Sequence, residues 1–236
     1  MNISKLILVR HGESIWNKLN QFTGWTDVEL SKQGQKEAII AGKILKKHNL
    51  QFDYCYTSVL KRAIHTLWLI LNELNQFWLP VKKTWRFNER HYGKLQGLNK
   101  ESIIEKYGFK QIEEWRRSFH AIPPKIEKEV NLTTCYDRRY YHLQDDQIPY
   151  AESLELTLRR LIPFWEKHIL PKVHQSKTIL IVAHGNSLRA LIKHLSQLNN
   201  KEVFDLQIPT GVPIIYDIHH GKLSIQYSLL QNLKNK

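Results

Sequence analysis

Short apolar runs alternate with amphipathic segments along most of the chain. The runs at 4–9, 52–56, 80–85 and 178–182 have the length and composition of buried strands. Between them, apolar residues recur three or four positions apart, which is typical of helices that bury one face. The alternation predicts an α/β fold, a three-layer α/β/α sandwich around a mainly parallel central sheet.

The helical spacing predicts four main helices. The first follows Ser31, whose hydroxyl suits an N-cap, and the second follows the strand that ends in Thr57 and Ser58. A third helix is predicted from about residue 152 to 170. The fourth follows the last long apolar run, with Asn186 or Ser187 as its N-cap.

Residues 94–150 interrupt this alternation. They contain a pair of prolines and many charges, but no clear strand and no apolar periodicity. We interpret them as an insertion over the carboxyl edge of the sheet, where binding loops belong, within a single domain that spans 1–236. A hairpin at 213–218 and 222–227 closes the fold, and we expect the short tail at 228–236 to be mobile.

Two histidines stand directly after predicted strands. His11 lies between Arg10 and Gly12 after the first strand, and His184 precedes Gly185 after the 178–182 run. Because ligands of an open α/β sheet bind past the carboxyl ends of its strands, both imidazoles are predicted to meet at one site. A glycine after each lets backbone approach a ligand. The neighbouring arginine favours an anionic ligand such as a phosphoryl group over a metal ion.

Further polar groups are predicted near the same edge. Arg62 opens the second helix, where a guanidinium and a helix N-terminus both favour an anion. Residues 88–93 are dense in ionisable types, and a carboxylate among arginines can act as general acid and base. Each feature alone also fits an ordinary solvated surface.

Two more segments offer anion contacts. Thr23 and Gly24, with Asn17 upstream, suit a loop whose backbone N–H groups cradle a phosphate or carboxylate. Arg116 and Arg117 are adjacent cations within the insertion. Because adjacent helical residues face different directions, both would reach one ligand only at a bend or a helix end.

Composition narrows the class of protein. The 236 residues are 42% hydrophobic and 24% charged, which suits one large globular domain. No stretch approaches the roughly 20 apolar residues of a membrane span, and no signal peptide is evident, so we expect a cytoplasmic protein without a membrane partner. Cys55 and Cys135 do not make a disulfide framework. The net charge of +13 comes from scattered residues, so we interpret it as solvated surface rather than a nucleic-acid site.

Several stretches resemble the cofactor-dependent phosphoglycerate mutases of the histidine phosphatase superfamily, and the similarity extends over about 4–218. The matching stretches are RHGESIWN (10–17), FTGW (22–25), YTSVLKRAI (56–64), NERHYGKLQGLNK (88–100), WRRSF (115–119), AHGNSLRAL (183–191) and IPTGVP (208–213). The first motif alone marks only the superfamily, whereas the 88–100 and 183–191 stretches are narrower.

The resemblance implies interconversion of 3-phosphoglycerate and 2-phosphoglycerate in glycolysis and gluconeogenesis, primed by 2,3-bisphosphoglycerate and without a metal. It implies that His11 becomes phosphohistidine and that Glu89 exchanges protons with the substrate hydroxyl. It also implies that His184 donates to the transferring phosphoryl group, which Arg10 and Arg62 clamp. The remaining substrate contacts that it implies are Asn17, Thr23, Gly24, Arg90, His91, Tyr92, Lys100, Arg116, Arg117, Gly185 and Asn186.

Two other functions stay open at this point. One is a phosphatase of bisphosphoglycerate or another small phosphate ester, and the other is a basic binding protein on a former enzyme scaffold. Lys100, Arg116 and Arg117 suit a substrate with a carboxylate as well as a phosphate, which favours the mutase. The tail is shorter than in many members of this family, which bears on how well water is excluded from phosphohistidine. The resemblance also implies a homo-oligomer, a dimer or tetramer.

Overall fold

A computed structural model describes residues 4–127, 136–219 and 222–228, and it places one six-stranded sheet between two helical layers. The strands are β1 (Ser4–Arg10), β2 (Tyr54–Thr57), β3 (Val81–Lys83), β4 (Ile179–Ala183), β5 (Pro213–His219) and β6 (Lys222–Ser228). Their order across the sheet is β3-β2-β4-β1-β5-β6. The first four in this order run parallel, β5 pairs antiparallel with β1, and β6 pairs antiparallel with β5. The predicted sandwich with a mainly parallel sheet is therefore confirmed.

The helices fill the connections between strands. They are α1 (Ile15–Lys18), α2 (Lys32–Lys47), α3 (Lys61–Leu74), α4 (Lys100–Tyr107), α5 (Phe109–Arg117), α6 (Leu154–Phe164), α7 (Leu170–His174), α8 (Gly185–Leu195) and α9 (Asn200–Asp205). Short 3₁₀ turns lie at Trp85–Phe87, Gly93–Leu95 and Asp145–Gln147. None of the helices within the described residues has the length and apolar character that crossing a bilayer requires.

Each face of the sheet carries its own apolar core. Along β1, Leu6 and Leu8 pack toward α6, α7 and α8, while Ile7 and Val9 pack toward α2 and α3. Alternate residues of a strand point to opposite faces, so a strand covered on both sides is apolar at every position. The unbroken apolar runs in the sequence therefore mark the centre of the molecule.

Residues 94–150 contain two helices that the sequence interpretation did not locate. This stretch contains α4 and α5, which bury Ile103 and Ile112 against Phe22 and Leu95. Each helix has a single buried residue among its eight or nine, which is too short a repeat to stand out from the sequence.

The helix expected over 152–170 is divided. After α6 the chain widens into a π-turn at Trp165–Ile169 before α7 begins. Pro163 lies inside α6, and Pro171 has no N–H to donate to the preceding turn, so a regular helix is not sustained.

Other boundaries also differ from prediction. His184 is the N-cap of α8, and its N–H donates to Ser187 Oγ (3.1 Å), so neither Asn186 nor Ser187 is the cap. Ser187 is the third helical residue. Its hydroxyl accepts from the N-cap N–H, as the side chain of Glu or Gln does in a capping box. The strand expected over 80–85 is shortened to β3. The tail beyond Ser228 lies outside the described residues.

Candidate active site

The two histidines meet at the carboxyl ends of adjacent parallel strands. In the register of β1 and β4, Arg10 lies opposite Ala183, and the His11 N–H donates to the Ala183 carbonyl (2.9 Å). The imidazole centroids of His11 and His184 are 4.9 Å apart, with ring planes inclined by 63°. Both rings are buried. The structure thus brings together the two groups on which the sequence interpretation depends.

Hydrogen bonds fix both rings. The Nδ1 atom of His11 is 2.6 Å from the Gly12 carbonyl, so Nδ1 carries the proton and the Nε2 lone pair is left available. The Nε2 atom of His184 is 2.7 Å from Ser58 Oγ. Burial, and then the charge of Arg62, hold the pKa of each imidazole well below 6.5. Both rings are therefore neutral at neutral pH.

A buried arginine, Arg62, and a half-buried one, Arg10, lie beside this pair. Arg62 donates to the carbonyls of Gly24 and Thr26, each at 2.8 Å, and Arg10 donates to the Ile208 carbonyl at 2.8 Å. Within the described chain, the buried Nε atoms of both arginines have no hydrogen-bond partner. Burial lowers the pKa of Arg62 to about 10 and also lowers that of Arg10. Donors that are buried and unsatisfied in this way suit an anionic ligand.

Glu89 stands next to the arginines on the loop after the Trp85–Phe87 turn. Its Oε1 atom accepts from the N–H groups of Arg90 (2.8 Å) and Asn186 (3.0 Å). Its own carbonyl accepts from the Arg160 guanidinium (2.9 Å), which ties the loop to α6. The carboxylate is therefore held between the loop and the start of α8.

A cavity of about 950 Å³ opens beside these groups, and Arg10 and Glu89 form part of its wall. This volume is in the range of small-molecule sites. Most of the expected contact residues line it: Asn17, Thr23, Gly24, Tyr92, Lys100, Arg116, Arg117, Gly185 and Asn186. Arg116 and Arg117 both reach it because they are the last two residues of α5, the helix end that the sequence required.

Some predicted contacts do not line the cavity. His11, His184 and Arg62 are buried behind its wall, and Arg90 lies with its guanidinium 4.7 Å from the Tyr92 ring centroid. His91 is not brought to the cavity, because its Nδ1 accepts from the Gly93 N–H (3.1 Å) and its ring packs on Trp25. Burial lowers the pKa of His91 to about 4.

The glycines after the two histidines serve different purposes. A Cβ on Gly12 would lie 2.1 Å from the Gly34 carbonyl oxygen, so this glycine permits two backbone segments to pack. A Cβ on Gly185 would lie 3.4 Å from the Arg10 guanidinium. The expectation that a glycine lets backbone approach a ligand therefore fits Gly185 at the cavity wall, but not Gly12.

Comparison with known proteins places the chain in a family. The family model described as "Histidine phosphatase superfamily (branch 1)" matches residues 6–138 and 125–229. The chain belongs to this superfamily. It is 55% identical over 232 residues to a 2,3-bisphosphoglycerate-dependent phosphoglycerate mutase of Blochmanniella pennsylvanica, covering 98% of this chain and 100% of that one. It is 53% identical over 231 residues to the protein of that name from Buchnera aphidicola, with 98% and 100% coverage.

Solved structures of the histidine phosphatase fold also superpose on the chain. A mycobacterial glucosyl-3-phosphoglycerate phosphatase has a TM-score of 0.70 at 21% identity, covering 94% of this chain and 96% of that one. YhfR of Bacillus stearothermophilus has a TM-score of 0.71 at 21% identity, with 94% and 95% coverage. At this identity the likeness shows the shared fold.

This histidine phosphatase site includes residues that the sequence interpretation missed. Ser58 contacts His184, Arg189 lines the cavity, and Arg160 pairs with Glu152 beneath the Glu89 loop. Arg189 follows Gly185 by one helical turn, so helical spacing would have placed it on the same side of α8. In the described part of the chain, no three His, Cys, Asp or Glu side chains are grouped so that they could hold a metal ion.

Proposed function

We propose that this chain interconverts 3-phosphoglycerate and 2-phosphoglycerate through a phosphohistidine at His11, as a glycolytic and gluconeogenic isomerase. The observation that carries the proposal is the pair of closely packed imidazoles beside Arg10 and Arg62, whose buried Nε atoms have no partner among the described residues. Relatives that share more than half of its residues over their full length are named as phosphoglycerate mutases.

His11 is the nucleophile in this proposal. Its Nδ1–H is committed to the Gly12 carbonyl, so Nε2 presents a lone pair to phosphorus. Because burial and two neighbouring arginines lower its pKa, the ring needs no deprotonation before it attacks. Arg62 and Arg10 offset the charge that spreads over the equatorial oxygens during transfer, and His184 donates to the same phosphoryl group.

Glu89 exchanges the proton of the substrate hydroxyl. It lies on the cavity wall beside Arg10, and backbone N–H groups of Arg90 and Asn186 hold its Oε1. A carboxylate fixed beside the phosphoryl site takes the proton from the attacking hydroxyl and returns it to the leaving one. The phosphoryl group therefore migrates in two transfers, and both use this carboxylate and the two imidazoles.

The site also suits 2,3-bisphosphoglycerate as primer, which supplies the first phosphoryl group to His11. One phosphate fits the unsatisfied Nε atoms of Arg10 and Arg62. The second phosphate and the carboxylate fit the cations at the end of α5 and the start of α4, which are Arg116, Arg117 and Lys100. Burial, and then the charge of Arg116, lower the pKa of Lys100, and a bound anion relieves both effects.

Three broader statements belong to the same proposal. Residues 94–150 form an insertion that covers the site of a single domain, which is supported by the cavity-lining residues that they supply. The chain assembles as a dimer or tetramer, which the exposed rings of Phe77 and Trp78 beside edge strand β3 support. It acts in the cytoplasm on small phosphoglycerates.

Incubation with 2,3-bisphosphoglycerate labelled with ³²P tests the proposal directly. We expect an acid-labile label on His11, and we expect His11→Ala to abolish both the label and the isomer exchange. His48→Ala, at an exposed histidine, is the matched control and should change neither. Phosphate release and isomer exchange are then measured on the same substrate. Release that greatly exceeds exchange would replace the mutase with a phosphatase of small phosphate esters.

A further inference from the structure

Polar groups beside the cavity form a closed ring of hydrogen bonds. Arg189 donates from one terminal nitrogen to Asn186 Oδ1 (3.0 Å), and Asn186 Nδ2 donates to the Tyr92 hydroxyl oxygen (3.1 Å). Arg90 donates to the same hydroxyl oxygen (3.1 Å) and to the Arg116 carbonyl (2.7 Å). The ring closes where the first nitrogen of Arg189 reaches that carbonyl at 3.4 Å. It joins α8, the loop that follows Glu89 and the end of α5.

The chemistry of the donors fixes every orientation in this ring. A guanidinium has no acceptor atom, so the amide atom that faces Arg189 must be the oxygen of Asn186. The amide nitrogen then faces Tyr92 and donates to it. Arg90 is also a donor only, so the hydroxyl oxygen of Tyr92 accepts two hydrogen bonds and uses both of its lone pairs.

The hydroxyl proton of Tyr92 is therefore not used within the ring. Among the described residues, no group accepts a hydrogen bond from it, and Tyr92 lines the cavity. If the Asn186 amide were turned over, its oxygen would face the hydroxyl and take up this proton. The orientation that Arg189 imposes keeps the proton available.

We propose that Arg189 is a positioning residue that makes the Tyr92 hydroxyl a hydrogen-bond donor to an anionic oxygen of the bound phosphoglycerate. This inference rests on the proposed function. It assigns the residue that decides whether the Tyr92 hydroxyl donates a hydrogen bond to the substrate. The donor lies in a buried setting, where a hydrogen bond to a charged oxygen is stronger than in water.

Arg189 is held firmly enough to act in this way. Its Nε donates to the Leu206 carbonyl (3.2 Å), so α8, the end of α5 and the segment after α9 all fix the guanidinium. Burial, and then the charge of Arg90, lower its pKa to about 10, which leaves it charged at neutral pH. Its terminal nitrogen is therefore a permanent donor to Asn186.

A double-mutant cycle with Arg189→Met and Tyr92→Phe tests the coupling. In the wild-type background we expect Arg189→Met to lower kcat/KM for 3-phosphoglycerate by about 10- to 100-fold. In the Tyr92→Phe background, where no hydroxyl proton remains to be directed, we expect Arg189→Met to lower it by less than about threefold. Equal losses in both backgrounds would mean that Arg189 only supports the structure, and would overturn the inference.

Arg189→Lys provides a second test that does not depend on the folding of Arg189→Met. Lysine is also a donor only, so it keeps the Asn186 amide in place, and we expect a loss of less than about fivefold. A loss as large as that of Arg189→Met would overturn the donor role. Arg159→Met, at an exposed arginine on α6, is the matched control and should match the wild type.

The affinity of each variant for 3-phosphoglycerate, measured by calorimetry, separates this inference from the proposed function. A wild-type protein that binds the acid but does not isomerise it would refute the mutase, while the cycle of affinities would still test Arg189. If the wild type isomerises the acid but the effects of Arg189→Met and Tyr92→Phe are additive, only the role of Arg189 is refuted. A wild-type protein that neither binds nor isomerises the acid would refute both.

Discussion

Two buried arginines, Arg160 and Arg62, differ in how their hydrogen-bond donors are satisfied. Arg160 forms a two-pronged ion pair with Glu152, at 2.7 and 3.1 Å, and donates to the carbonyls of Asn88 and Glu89 at 2.9 Å. Arg62 donates only to two carbonyls, and its buried Nε has no partner among the described residues.

The difference predicts that Arg160 is a structural cation and that Arg62 is a functional one. The charge of Arg160 is neutralised within the protein, so it holds the loop that carries Glu89 in one position. Among the described residues no carboxylate forms an ion pair with Arg62, so the protein bears the cost of burying this charge, and an anionic ligand would offset it. Removing each arginine should therefore produce opposite patterns of lost activity and lost stability.

The largest expected effect is on the activity of Arg62→Met. An arginine that offsets charge in phosphoryl transfer contributes about 10³- to 10⁵-fold in kcat, so we expect a loss in that range. The free energy of unfolding should fall less than in Arg160→Met, because no buried carboxylate loses its partner. Isomer exchange and urea unfolding measure the two quantities. Activity within tenfold of the wild type would remove Arg62 from the reaction.

The next effect is on the stability of Arg160→Met. Breaking a buried ion pair on one side leaves Glu152 charged and unpaired, which costs about 3–5 kcal/mol. Arg159→Met, the adjacent residue in an exposed pair with Glu155, should cost less than about 1 kcal/mol. Urea unfolding of the two variants gives the comparison. Equal losses would show that the buried pair has no special importance for the fold.

Inorganic phosphate should distinguish the two arginines by ligand binding. At 100 times its dissociation constant, phosphate should stabilise the wild type by about 2.7 kcal/mol. The same concentration should leave the melting temperature of Arg62→Met almost unchanged, while Arg159→Met should respond fully. Thermal unfolding with and without phosphate measures this difference. A full response from Arg62→Met would place the anion elsewhere.

The smallest expected effect is the change in the free energy of unfolding per pH unit. The pKa values of His11, His91 and His184 are lowered in the folded state, so below about pH 6.5 the unfolded chain binds protons that the folded chain does not. Stability should therefore decrease as pH falls through this range, by up to about 1.4 kcal/mol per pH unit for each histidine.

Substitution identifies the contribution of one ring. His91→Asn keeps an acceptor for the Gly93 N–H and removes the titration, so the loss of stability between pH 6.5 and about 4 should become shallower. A bound anion raises the pKa of an imidazole beside it, so saturating phosphate should make the contribution of His11 and His184 to this pH dependence shallower and leave that of His91 almost unchanged. Urea unfolding at a series of pH values measures both effects. An unchanged slope in His91→Asn would contradict the lowered pKa.

Much of the fold follows from local pattern. The apolar runs of β1 and β4 are unbroken because both faces of the sheet are covered, and their alternation with helical segments indicated parallel central strands. Helices α4 and α5 were missed because each buries only one side chain, Ile103 in one and Ile112 in the other. Such short helices are stabilised by contacts outside the helix, with Leu95 and with Phe22, which is distant in the sequence.

The sequence by itself determined that His11 and His184 each follow the carboxyl end of a strand, because the position after a strand is a local property. It also determined the family, through stretches of residues that stand in a fixed order. Only the tertiary structure decided which charges are paired. Arg62, Arg160 and Arg189 are the same residue type, yet among the described residues the first has a buried Nε without a partner, the second pairs with a carboxylate, and the third donates to an amide oxygen. Burial and partners come from segments that are far apart in the chain, so no local pattern specifies them.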